Sequence, residues 1–123
     1  MAPTDPQDPI MIELDTPYMQ AEIAEGVGWM TFNNPERRNA MTDAMLNGLS
    51  IALADAETAA DVRCVVLTGA GGAFCAGGDV KGFAEGGGAA ASGGSWDEGV
   101  HGQRLSHRNT AGALWAMPKP TIA

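Results

Sequence analysis

Residues 68–81 read TGAGGAFCAGGDVK and follow directly on the apolar run VRCVVL at 62–67. A glycine-rich loop that leaves a strand and opens a helix presents backbone N–H groups to an anion. Two kinds of anion could meet it: a nucleotide phosphate, or a negative charge that exists only during a reaction. A phosphate loop requires G-x-x-x-x-G-K-[ST]. Gly72 and Gly77 have that glycine spacing, but Gly78 and Asp79 stand where Lys and Ser or Thr are needed. A carboxylate there repels a triphosphate. The dinucleotide fingerprint fails too, because Phe74 takes the place of the third glycine counted from Gly69 and Gly71.

An oxyanion formed in a reaction fits the same residues better. Gly77 and Gly78 carry no side chain to hold a substrate atom away from their N–H groups. The amino end of a following helix adds positive potential. Donors fixed where charge develops can supply much of a rate enhancement, and losing one typically costs about 10²- to 10³-fold.

Other chemistries find little support. Cys64 and Cys75 make no disulfide framework, and Cys64 lies in an apolar strand pattern where a small buried thiol is expected. No Cys/His spacing matches a zinc site, and His101 and His107 do not converge on one face of a helix, so no metal is expected. With 15 acidic residues, seven Lys and Arg, and a net charge of −8, the chain lacks the basic surface that nucleic acid requires. A small anionic ligand stays possible, since a few local charges can outweigh the net field. The amino terminus has no basic-then-apolar signal pattern, and no apolar run is long enough to span a bilayer. The chain is expected to be soluble and cytoplasmic, with no membrane partner.

The elements that must position the loop follow from the patterning. Residues 18–33 read as two short strands joined by a turn at Glu25-Gly26, the second alternating Val27, Trp29 and Thr31 against Gly28, Met30 and Phe32. Pro35 breaks that strand. A helix capped by Thr42 or Asp43 then buries a stripe of Met45, Leu49, Ala52, Leu53 and Ala56. Gly48 weakens it by about 1 kcal/mol relative to Ala, which packing must offset. Residues 62–68 predict a strand covered on both faces. Asp79 can cap a short helix from Val80, and EGGGAAASGGSWDEG at 85–99 reads as a flexible tract. A second helix is expected from Val100 to Ala116, carrying Leu105, Ala113 and Leu114. Pro118-Lys119-Pro120 stops it, and residues 121–123 begin an apolar strand, short of the usual five or six residues, as part of a longer domain.

Four segments in register resemble the enoyl-CoA hydratase/isomerase family, also called crotonases: NNPERRNAM (33–41), VVLTG (65–69), FCAGGDVK (74–81) and MPKPTIA (117–123). The likeness runs from about Ile12 to Ala123. It implies an α/β fold, a right-handed spiral of ββα units that is incomplete in this chain. Residues 1–11 are then a disordered lead-in, and 12–123 the amino-terminal part of the domain. The family assembles as homotrimers or hexamers and acts on acyl-CoA thioesters of fatty acid metabolism through an enolate held by two backbone N–H groups. No resident cofactor is implied, since coenzyme A arrives as part of the substrate.

Carried over residue by residue, the resemblance makes Gly78 the first oxyanion donor, at a place where many members have Ala. Gly78, Asp79, Val80 and Lys81 would line the thioester and pantetheine, with Lys81 near the nucleotide phosphates. The Ala76 backbone would contact adenine, and Arg38 and Ala40 would flank the same ligand. Asp79 is read as a structural cap and not as a base. The second donor and the catalytic carboxylates of the family follow the segment matching PTIA, so the chain as given is expected to be inactive alone. Glu85, Asp97 and Glu98 do not match those acids. The implied reaction is hydration of a 2-enoyl-CoA or double-bond migration; the alternative is a non-catalytic CoA-binding or subunit-contact protein of the same fold. The tract 86–94 is either a linker or a lid that orders over the acyl pocket, with Trp96 as its possible anchor.

Overall fold

The computed structural model describes residues 8–78 and 96–123, with the backbone alone given for 96–98. Asp79, Val80, Lys81, the helix expected at Val80, Glu85, the tract 86–94 and the side chains of Trp96, Asp97 and Glu98 lie outside the described residues.

One mixed sheet organises the described residues. Its strands are β1 (Ile10–Ile12), β2 (Met19–Ala24), β3 (Val27–Phe32), β4 (Cys64–Gly69) and β5 (Thr121–Ile122), and they lie side by side in sequence order. The first three pair antiparallel, while β4 and β5 join parallel to their predecessors. Glu25 and Gly26 both have positive φ (52° and 81°), the conformation of a mirror-image two-residue turn whose twist matches paired strands. Because β3 and β4 run parallel, the chain must cross over between them, and helix α1 (Asp43–Thr58) makes that crossing. Strand β1 already pairs at Ile10 and Met11, so the ordered sheet begins inside the stretch expected to be a lead-in.

Thr42 caps α1, its hydroxyl accepting the Met45 N–H at 3.2 Å. The helix buries the expected stripe of Met45, Leu49, Ala52, Leu53 and Ala56 against Met19, Ala21, Met30, Phe32, Val65 and Leu67 from three strands. Gly48 has a steric reason: a Cβ there would lie 2.9 Å from the Thr16 methyl and 3.0 Å from Met19 Cβ. The close approach of helix to sheet offsets its lower helix propensity. Lys119 closes the other end of α1, donating from Nζ to the carbonyl oxygens of Ala56 and Ala59, both at 2.6 Å. A cation at a helix carboxyl end satisfies orphan carbonyls and the helix dipole together.

Several expectations are corrected. Strand β4 is buried on one face only: Val65 and Leu67 are buried, while Cys64, Val66 and Thr68 are half-buried on the other. Among the described residues α1 covers a single face of the sheet, so Cys64 is not a fully buried thiol. The helix expected over Val100–Ala116 is two helices, α2 (Trp96–Asn109) and α3 (Ala111–Ala116), broken at Thr110. Thr110 is buried, departs from helical dihedrals (φ −118°, ψ −88°) and turns its hydroxyl back to the Ser106 carbonyl at 2.7 Å. Such back-bonding offers the backbone an alternative to the helix ladder. The start of α2 also converts the end of the tract at 85–99 to helix, and Leu105 is exposed whereas Ala113 and Leu114 pack against the core. Among the described residues no helix is long and apolar enough to cross a membrane.

Candidate functional site

The carboxyl ends of the parallel strands β3 and β4 open into two loops, residues 33–41 and 70–78. Such ends of parallel strands are where α/β sheets place ligands. The loops stay together because one buried side chain ties them. Asn39 is fully buried, accepts the Asn34 N–H at 2.7 Å, and donates from Nδ2 to the carbonyl oxygens of Ala70 (3.0 Å) and Ala73 (2.8 Å). Its backbone sits at φ 57°, beside Arg38 at φ 51°, in the left-handed region that Asn tolerates better than most residues. The turn Pro35–Arg37 begins on proline, whose fixed φ starts a short 3₁₀ turn, and Arg38 closes it by donating its N–H to the Pro35 carbonyl at 3.0 Å.

Backbone bonds then align the loop tips. Ala76 donates to the Arg38 carbonyl at 2.9 Å, Met41 donates to the Gly77 carbonyl at 2.7 Å, and Met41 and Gly78 form an isolated parallel bridge. Arg38, Ala40, Ala76 and Gly78, scattered over 41 positions of sequence, are thereby brought into one short two-stranded seam. Asp79, Val80 and Lys81 lie outside the described residues. In this seam the Gly77 carbonyl, and not the Gly78 N–H, meets Met41. Gly78 is exposed, and among the described residues nothing accepts its N–H. Gly77 has φ +99°, which an L side chain rarely adopts, and its N–H points to the Cys75 sulfur at 3.4 Å.

The base of the loop is tightly packed. A Cβ on Gly69 would collide with the Ala73 carbonyl, lie 2.5 Å from the Phe74 carbonyl and come within 2.8 Å of Asn39 Nδ2. The loop therefore folds back onto its own strand end, and only a residue without a side chain permits it. Phe74 stacks edge-on against Phe32, with ring centroids 5.5 Å apart and planes at 73°.

Sequence reasoning missed Asn39. A polar residue just before the capped start of a helix reads as one more loop residue, and its amide partners lie more than 30 positions away. Beside the seam, a cleft of about 580 Å³ is lined by Met41 and Leu46 on one side and by Arg104, His107, Arg108, Thr110, Ala111 and Gly112 on the other. Among the described residues no carboxylate lines it. Among the described residues no group of three or more His, Cys, Asp or Glu is placed to hold a metal ion.

Comparison with known proteins places these features in context. Residues 22–122 match the family model described as enoyl-CoA hydratase/isomerase. A probable enoyl-CoA hydratase of Mycobacterium tuberculosis is 42% identical over 79 residues, which cover 64% of this chain and 27% of the relative. The 1,2-epoxyphenylacetyl-CoA isomerase of Escherichia coli is 39% identical over 64 residues, 52% of this chain and 24% of the relative. Among solved structures, an enoyl-CoA hydratase/isomerase from Xanthobacter autotrophicus superposes with a TM-score of 0.73 at 33% identity, covering 86% of this chain and 37% of that one. The chain thus spans 27% or less of the length of these two relatives and little more than a third of the solved chain.

Proposed function

The chain belongs to the enoyl-CoA hydratase/isomerase family, and from that premise we propose that it forms the part of an acyl-CoA-processing site that grips the thioester. Gly78 donates its N–H to the thioester oxygen. Arg38, Ala40 and Ala76 line the path of coenzyme A, and Asp79, Val80 and Lys81 continue it. The observation that carries this reading is the free Gly78 N–H, held in place by the seam with Met41 yet bonded to nothing among the described residues.

The chemistry follows from that donor. Removing a proton next to a thioester, or adding water across a conjugated double bond, moves negative charge onto the carbonyl oxygen. A donor already aimed at that oxygen stabilises the charge with no reorganisation at the moment of reaction. Coenzyme A enters with the substrate, so the reading needs no resident cofactor. Hydration of a 2-enoyl-CoA or migration of its double bond also requires acid–base groups, and among the described residues no carboxylate lines the cleft beside Gly78. The 123-residue chain by itself is therefore read as binding acyl-CoA with little or no turnover.

The test uses a substituted donor. Gly78→Pro deletes the N–H and leaves the Gly77 carbonyl free to accept from Met41. Calorimetric titration with acetoacetyl-CoA, whose enolate imitates the charged intermediate, is expected to show binding to the native chain and a loss of at least about tenfold in the variant. Equal affinity for both chains would sink the assignment of Gly78.

A further inference from the structure

We propose that the cleft between the start of α1 and helix α2 receives a carboxylate at the far end of the acyl group, held by Arg104, His107 and Arg108. The inference rests on the acyl-CoA reading above and names the class of acyl group which that site prefers.

Spacing supplies the first argument. Arg104, His107 and Arg108 stand at i, i+3 and i+4, so one face of α2 turns all three toward the cleft. Charge supplies the second. The protein has 15 acidic residues against seven Lys and Arg, yet among the described residues none of the three side chains has an ion-pair or hydrogen-bond partner. The two guanidinium groups and the imidazole face a hollow in whose lining, among the described residues, no carboxylate stands. The Thr110 hydroxyl is committed to the Ser106 carbonyl, which leaves the two guanidinium groups and the imidazole as the polar side chains that can meet a ligand there.

Direction supplies the third. The seam runs from the Arg38–Ala76 bond to the Met41–Gly78 bridge. If coenzyme A lies along Arg38 and Ala76 and the thioester at Gly78, the acyl group continues past Gly78 on the Met41 side. There Met41 and Leu46 offer carbon to a short methylene chain, and the cations stand opposite. Two guanidinium groups can grip a carboxylate through paired N–H bonds. The three side chains are exposed, so water and salt reduce the effect without abolishing it.

The experiment compares glutaryl-CoA with pentanoyl-CoA, which share a carbon skeleton and differ in the terminal carboxylate. Calorimetric titration of the full chain at low salt should show glutaryl-CoA binding about five- to tenfold tighter. The double variant Arg104→Gln/Arg108→Gln should bring the two ligands close to parity by weakening glutaryl-CoA alone, while Arg63→Gln, outside the cleft, should keep the preference. Glutaryl and pentanoyl thioesters of N-acetylcysteamine, which lack the phosphates of coenzyme A, should preserve the same ratio. Equal affinities in the native chain overturn the proposal, as does a double variant that weakens both CoA ligands alike, since the cations would then serve the phosphates. If neither CoA thioester binds, the acyl-CoA reading itself falls and takes this inference with it, an outcome distinct from equal binding.

Discussion

The Asn39 side-chain nitrogen lies 2.8 Å from the carbonyl oxygen of Ala73, joining two loops that are 34 residues apart. The same amide reaches Ala70, and its oxygen takes the Asn34 N–H, so all the bonds converge on one buried group. Removing the group leaves three half-buried backbone partners without the bonds it makes to them. Asn39→Ala should therefore destabilise the chain by about 2–4 kcal/mol, measured as a shift of the urea unfolding midpoint at constant slope. Asn39→Asp keeps the shape but faces a carboxylate toward two carbonyl oxygens, and should cost at least as much. A loss below about 0.5 kcal/mol in both variants would show that the loops hold together without this amide.

Gly69, the last residue of β4, and Gly72, three residues on in the loop that follows, should respond differently to the same change. A Cβ on Gly69 meets the Phe74 carbonyl and the Asn39 amide, whereas a Cβ on Gly72 meets nothing within 4 Å. Gly69→Ala is expected to destabilise by about 1–3 kcal/mol or more, because the nearest obstructing atoms are the backbone carbonyl oxygens of Ala73 and Phe74, which cannot rotate away. Gly72→Ala should fall within about 0.5 kcal/mol of the native chain. Thermal unfolding of the two variants in one buffer decides it.

Gly77 separates conformation from space. Nothing crowds a Cβ there, yet φ is +99°. Gly77→Ala should cost about 1–3 kcal/mol in backbone strain. If the backbone relaxes instead, the Gly78 N–H is re-aimed, and acetoacetyl-CoA should bind more weakly to this variant than to Gly72→Ala. Unchanged stability together with unchanged binding would count against the strained geometry.

Lys119 links the last strand to the first helix through Ala56 and Ala59. Lys119→Met retains most of the aliphatic stem and removes the charged donor. The expected loss is about 1–3 kcal/mol, reduced by the residue's partial exposure. Hydrogen exchange should accelerate first at the Val65 N–H, which donates to the Pro120 carbonyl. Exchange that speeds up uniformly along the sheet would mean that Lys119 does not specifically hold β5.

Local rules determined much of this protein before any tertiary contact was considered. The Glu25-Gly26 turn, the Thr42 cap and the α1 stripe were all legible, since each depends on residues within a few positions of one another. The glycine loop excluded both nucleotide fingerprints for the same reason: those motifs live in contiguous spacing. The segments at 33–41, 65–69, 74–81 and 117–123 also carried the family, which the match over 22–122 shows.

The tertiary structure decided whatever depends on partners distant in sequence. Whether β4 is covered on one face or two depends on which elements pack against it, and an apolar run cannot report that. The break at Thr110 comes from a hydroxyl turned back on its own helix, against a background pattern that reads as continuous. Asn39 has an ordinary loop residue's signature until the fold brings Ala70 and Ala73 to its amide. Arg104, His107 and Arg108 come to share a cleft only when α2 lies beside Met41 and Leu46. Short-range backbone preferences act wherever the residues occur, whereas burial, crossing contacts and the facing of charges exist only after the chain has closed on itself.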